Sequence, residues 1–196
     1  MNKATKLTLL ATALVAVAGC FNEPEPAYKS VPAENRVYLS DKGLVAVPEI
    51  NVKADYLNLD RNELTNVARV ASLVNLKWLR LNDNKLAALP DLKGLVNLRR
   101  IYLKNNKFEA VPETLNGLPS LTDIDLSGNP IKEVPQWLAE KKGLKNLSFS
   151  RTQLTKLPDD LSAWRSLQSL QLGDLTFPAA EMARIRAALP AVAIVF

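Results

Sequence analysis

Between Ala54 and Leu189 the apolar and polar positions follow one recurring order, L-x-x-L-x-L-x-x-N-x-L-x-x-L/V, usually followed by Pro. Copies open at Ala54, Leu76, Leu98, Leu121, Leu144, Leu167 and Leu189, spaced 22, 22, 23, 23, 23 and 22 residues apart. A fixed period of about 20 to 29 residues marks a solenoid, in which each coil buries its apolar face against the next. In the clearest copy Leu79 and Leu81 alternate with Trp78 and Arg80. That alternation predicts a short strand with its leucines inward and the intervening residues on the opposite, concave side.

After the Asn comes a further inward residue (Leu64, Leu86, Phe108, Ile131, Leu154), and Pro90, Pro112, Pro135 and Pro158 follow in successive coils. Proline lacks an N–H and fixes φ, which suits an extended or irregular outer side. Two more apolar positions close the middle coils, as at Leu115 and Leu118 or Leu161 and Trp164. Trp164 stands where the earlier coil has Leu118, so its expected role is packing. Lys141 occupies the same place one coil earlier and predicts a looser or reshaped coil there. The ends read as caps, which solenoids need over an otherwise open core. Residues 34–53 hold a degraded copy with Lys42 in the Asn slot. Residues 179–196 hold a helix after Pro178, with Met182 and Ile185 one turn apart, and then a half repeat.

These copies resemble the leucine-rich repeat family over about residues 34–196. The resemblance implies an α/β solenoid. It is a right-handed coil with a parallel β-sheet on its concave face and six to seven repeats of 22–23 residues plus terminal caps. The repeats proper span residues 54–178. It also implies that Asn62, Asn84, Asn106 and Asn129 form a structural ladder. Each side-chain amide, with donors and an acceptor, would satisfy the backbone of its own and neighbouring coils. Thr152 could do part of this; Leu175 cannot.

Aligned coil by coil, one concave column reads Arg36, Tyr56, Trp78, Arg100, Asp123, Asn146, Ser169. The other reads Tyr38, Asn58, Arg80, Tyr102, Asp125, Ser148, Gln171. Aromatic and basic residues crowd the first four coils. Because Tyr, Trp and Arg dominate binding hot spots, the candidate partner site is Tyr38, Tyr56, Trp78, Arg80, Arg100 and Tyr102. The competing reading is mutual satisfaction: Trp78 on Arg100, Arg80 on Tyr102, and Arg100 with Asp123. Asp123 and Asp125 point the same way from one strand, which a calcium ion or an acid/base pair could use. Hard cations want more oxygens and Arg100 lies alongside, so a charge-balanced strand is expected and no metal site.

Composition narrows the chemistry. The chain has one Cys and no His, which removes an intrachain disulfide and every His-dependent triad or metal site. No catalytic residue, enzyme activity or cofactor is expected. The net charge of +5 falls to about +3 once Lys3 and Lys6 are set aside, too little to argue for nucleic acid.

Lys3 and Lys6 open a basic start, followed by the apolar run Leu7 to Val17 and then Ala18-Gly19-Cys20. This is the order of a secretory signal peptide over residues 1–19, with an apolar stretch too short to span a bilayer. Val17-Ala18-Gly19-Cys20 resembles the bacterial lipoprotein lipobox, which implies that Cys20 is lipidated and becomes the mature N-terminus. Phe21, where inner-membrane retention would use Asp, implies the outer membrane. Residues 20–33 carry three prolines and read as a tether reaching at most roughly 40 Å at about 3.1 Å per residue. The expected molecule is a monomeric, lipid-anchored binding module of the bacterial envelope, with a protein or envelope polymer as partner and the membrane reached through its lipid. The alternative is a surface-exposed, internalin-like adhesin.

Overall fold

The computed structural model describes residues 30–50 and 53–196. The signal segment, Cys20 and the tether up to residue 29 lie outside the described residues. Eight strands form one parallel sheet in chain order: β1 (Arg36–Tyr38), β2 (Tyr56–Asn58), β3 (Trp78–Arg80), β4 (Arg100–Tyr102), β5 (Asp123–Asp125), β6 (Asn146–Ser148), β7 (Ser169–Gln171) and β8 (Ala193–Val195). Each strand is three residues long, so one inward residue is flanked by two concave ones. The inward column Leu57, Leu79, Ile101, Ile124, Leu147 and Leu170 has no solvent exposure. The register places Arg36, Tyr56, Trp78, Arg100, Asp123, Asn146 and Ser169 side by side, the column expected from the repeat.

The chain returns on the outer side through 3-10 turns at Ala68–Ser72, Glu113–Leu115 and Ser162–Ser166. These bring Val70, Leu115 and Trp164 into the core. The coil carrying Lys141 differs, as its sequence suggested. It forms a short helix, α1 (Gln136–Glu140), that buries Leu138 and Ala139 and ends at Lys141. The Trp164 indole N–H donates to the Leu138 carbonyl at 2.9 Å, so this ring both fills the core and joins the two coils. Lys141 Nζ donates to the Asn116 carbonyl at 3.2 Å, and partial burial lowers its pKa.

Amide side chains line the turns after β2, β3, β4 and β5. Asn84 Nδ2 donates to the carbonyls of Leu59, Leu81 and Asn82 at 3.0, 3.1 and 3.1 Å, while its Oδ1 accepts from Leu64 N–H at 3.1 Å. Asn62, Asn106 and Asn129 repeat the arrangement. Thr152 keeps one link, donating to Phe149 O at 2.7 Å. Leu175 packs against the core.

One feature of each turn has no apolar signature. The residue before the amide slot adopts a positive φ: Asp41, Arg61, Asp83, Asn105, Gly128, Arg151 and Asp174, with φ between 53° and 68°. The chain must veer from the strand here, and its N–H reaches the next coil, as Asp83 N–H does to Lys104 O at 2.8 Å. Only Gly128 is the residue type that enters this region without steric cost.

At the far end α2 (Ala179–Ala188) covers the last coils, with Ile185 fully buried and Met182 packed on the core. Arg184 pairs with Glu181 and also donates to the carbonyls of Leu157, Pro158 and Asp159. Phe196 meets Phe177 edge-on at 6.5 Å, and the Arg186 guanidinium lies 4.6 Å over the Phe196 ring.

Candidate functional site on the concave face

Three-residue strands at constant register stack the aromatic and basic residues of β1 to β4 into one patch. Tyr38 and Tyr56 lie 5.4 Å apart, and Tyr56 meets Trp78 edge-on at 6.1 Å. The Arg100 guanidinium sits 5.3 Å from the Trp78 ring centre, and that of Arg80 5.3 Å from Tyr102. All six candidate residues therefore come together on one face.

Their accessibility differs sharply. Tyr38 is 50% exposed, whereas Tyr56, Trp78 and Tyr102 are buried at 3%, 7% and 4%. Arg80 and Arg100 are half-buried. Arg80 Nε donates to Asp60 at 2.7 Å, and Asp60 is itself buried. Arg100 Nε lies 3.8 Å from Asp123. Charge and rings in this patch thus satisfy one another, with Tyr38, Arg80 and Arg100 reaching the surface and Tyr56, Trp78 and Tyr102 lying beneath it. Such a rigid, desolvated cluster presents a preformed surface with little side-chain entropy left to lose.

Asp60 and Asn82 went unnoticed in the sequence. They occupy the position just past the strand, and each accepts a backbone N–H from the next coil. Asn82 N–H donates to Asp60 Oδ1 at 2.8 Å, and Lys104 N–H to Asn82 Oδ1 at 2.9 Å. Later in the same column, Ser150 Oγ accepts from Gly173 N–H at 3.0 Å. The available signal was a small or hydrogen-bonding residue at that slot in most coils.

The acidic strand β5 marks a change in character. Asp123 accepts from Asn146 Nδ2 at 2.6 Å and from Thr122 Oγ1 at 2.5 Å. Asp125 accepts from Ser127 N–H at 2.9 Å and Ser127 Oγ at 2.6 Å. Burial raises the Asp125 pKa, and the Ser127 hydrogen bonds act in the other direction. Among the described residues no group of three His, Cys, Asp or Glu side chains is placed to hold a metal ion. No helix among them is long and apolar enough to cross a membrane. Beyond β5 the concave face carries Asn146, Ser148, Ser169 and Gln171, and at β8 Ala193 and Val195.

One residue ahead of β1 also reaches this face. Val31, at 4% exposure, packs with Tyr56 and Trp78 in an apolar cluster separate from the main core.

A leucine rich repeat family model matches residues 74–131. A search of curated proteins finds none that matches the chain. Among solved structures, the fold is similar to a leucine-rich repeat protein of Leptospira interrogans, at 24% identity and a TM-score of 0.62. That match covers 78% of this chain and 46% of that one. It is also similar to an internalin of Listeria monocytogenes, at 21% identity and a TM-score of 0.61, over 71% of this chain and 42% of that one. This chain spans less than half the length of either. Likeness at these identities establishes the shared architecture.

Proposed function

We propose that this leucine-rich repeat solenoid is a non-enzymatic binding module of the bacterial envelope, tethered by a lipid on Cys20, that recognises a protein partner through the first half of its concave face. The observation that carries the reading is the asymmetry of that face. Four coils carry a preassembled patch of Tyr38, Tyr56, Trp78, Arg80, Arg100 and Tyr102, whereas β6 and β7 carry Asn, Ser and Gln and β8 only Ala193 and Val195. The inward leucines alone would account for the fold, and they do not require rings on the opposite side. Interfaces draw most of their energy from such Tyr, Trp and Arg clusters.

The lipid anchor is supported by the position of Cys20 directly after Val17-Ala18-Gly19 and by the proline-bearing segment that follows. Two or more acyl chains give firm anchoring, since each buried methylene contributes about 0.8 kcal/mol. In a cell making the protein, Cys20→Ser should abolish incorporation of labelled palmitate and release the protein from the membrane pellet. Retention of both would end the anchoring claim.

The binding reading is tested by crosslinking capture with the mature lipidated protein against its own cell envelope. Trp78→Ala combined with Arg100→Ala should lose the captured partner while the thermal transition stays cooperative. Capture at the wild-type level would remove this face from the account.

A further inference from the structure

Val31 belongs to the segment read as a tether, yet its side chain lies against Tyr56 and Trp78, two of the six candidate binding residues. The contact is fastened at the backbone. Arg36 donates to the Val31 carbonyl from Nε at 2.7 Å, and from Nη2 as well. Pro32 is extended, with φ −52° and ψ 139°, and the turn Ala33–Asn35 then feeds the chain into β1. Asn35 is tied to the next coil, with Asp55 N–H donating to its carbonyl at 2.9 Å and its Nδ2 donating to Asp55 at 3.2 Å. A bent Val-Pro segment is therefore docked on the concave face, held by two rings and one guanidinium.

The fit is incomplete in one respect. Trp78 is 7% exposed, and its indole N–H is buried with no hydrogen-bond partner among the described residues. A buried donor without an acceptor is a standing cost that almost all native polar groups avoid. Val31 supplies apolar contact to the rings but no acceptor for this N–H. An incoming segment that offers both would bind more favourably than the residue already there.

We propose that Val31 is a displaceable internal occupant of the concave site, and that the seat it fills takes a peptide segment bearing an aliphatic side chain. This rests on the reading of the concave face as a binding surface. The tether then has two roles: it links the solenoid to its anchor, and it competes with the partner for the Tyr56–Trp78 rings. A covalently attached competitor acts at an effective concentration in the millimolar range for a short flexible link, so removing it should strengthen binding of a free peptide about tenfold or more.

The test uses the full chain labelled with 5-fluorotryptophan, with the Trp78 fluorine resonance assigned by Trp78→Phe and the probe a synthetic peptide of residues 28–34. In the wild-type chain the Trp78 resonance should show no shift between H2O and D2O. In Val31→Asp, and more weakly in Val31→Ala, it should become solvent-sensitive, added peptide should restore protection, and a fluorescein-labelled copy of the peptide should bind this variant about tenfold more tightly by anisotropy than it binds the wild type. A Trp78 resonance equally protected in Val31→Asp would overturn the proposal, and so would exposure that millimolar peptide never reverses. Far-ultraviolet circular dichroism should be unchanged, because Val31 lies outside the main core. The capture experiment distinguishes the two claims. Capture lost with Trp78→Ala and Arg100→Ala but an unchanged Trp78 resonance in Val31→Asp rejects only the displaceable occupant. Wild-type capture by that double variant beside a peptide-reversible Trp78 signal rejects the partner site and keeps the occupant.

Discussion

Asp125 and Glu181 set opposite pH dependences. The Asp125 carboxyl is raised by burial, so the folded chain binds its proton more tightly than the unfolded chain does. The stability linked to Asp125 is present below the ordinary carboxylate range and lost as pH rises through its raised value. Glu181 is lowered, chiefly by its hydrogen bond from Arg184, so its contribution is present above that range and lost as pH falls through its lowered value. Asp125→Asn should therefore raise the melting temperature at neutral pH and flatten the decline on the alkaline side of the carboxylate range. An unchanged pH profile would show that Asp125 is not the group responsible. Ladder residues make larger contributions. Asn84→Ala removes three donated bonds and one accepted one, and should cost about 3 kcal/mol in denaturant unfolding. Thr152→Asn should gain about 1 kcal/mol by reaching Ile131 N–H as Asn129 reaches Phe108 N–H. The amide slot was legible because an Asn recurs at a fixed distance from three leucines. Asp60 was not, since a polar residue past a strand reads as solvated, and only the fold puts Arg80 and the Asn82 N–H against it.

At the level of the coil, strand register followed directly from the spacing. A three-residue strand with one inward side chain can pair its neighbour in few ways, and a slip by one residue would turn Leu79 or Ile101 out into solvent. The left-handed turn residue was not legible, because Asp, Arg, Asn and Gly share no apolar or charge pattern at that place. Its demand shows at Gly128. A Cβ there would clash with Asn105 Oδ1 and meet Asn105 N at 3.3 Å, on top of the φ of +68°. Gly128→Ala should cost about 1–2 kcal/mol by denaturant titration. The coil that ends at Lys141 illustrates a departure that sequence located but could not draw. With a Lys in an apolar slot, the chain forms α1 and lets Leu138 and Trp164 close the gap. Trp164→Ala should destabilise by about 3–5 kcal/mol.

Across the whole molecule, core and surface follow different rules. The coils repeat one inward apolar pattern, while the concave columns run from rings and guanidinium groups through Ser, Asn and Gln to Ala193 and Val195. The sequence showed this gradient, and it showed which cations and rings would face each other. It did not show that three of the rings are almost fully covered, nor that Val31 lies on two of them, because no period links residue 31 to the repeat. The half-exposed ring of Tyr38 is the outermost part of the patch, and it gives the most direct measure of the central claim that recognition belongs to the first half of the concave face. A photo-crosslinking amino acid placed at Tyr38 in living cells, with the same residue at Gln171 for comparison, should yield a crosslinked partner only from position 38. Crosslinking from Gln171 alone, or equally from both positions, would contradict the account.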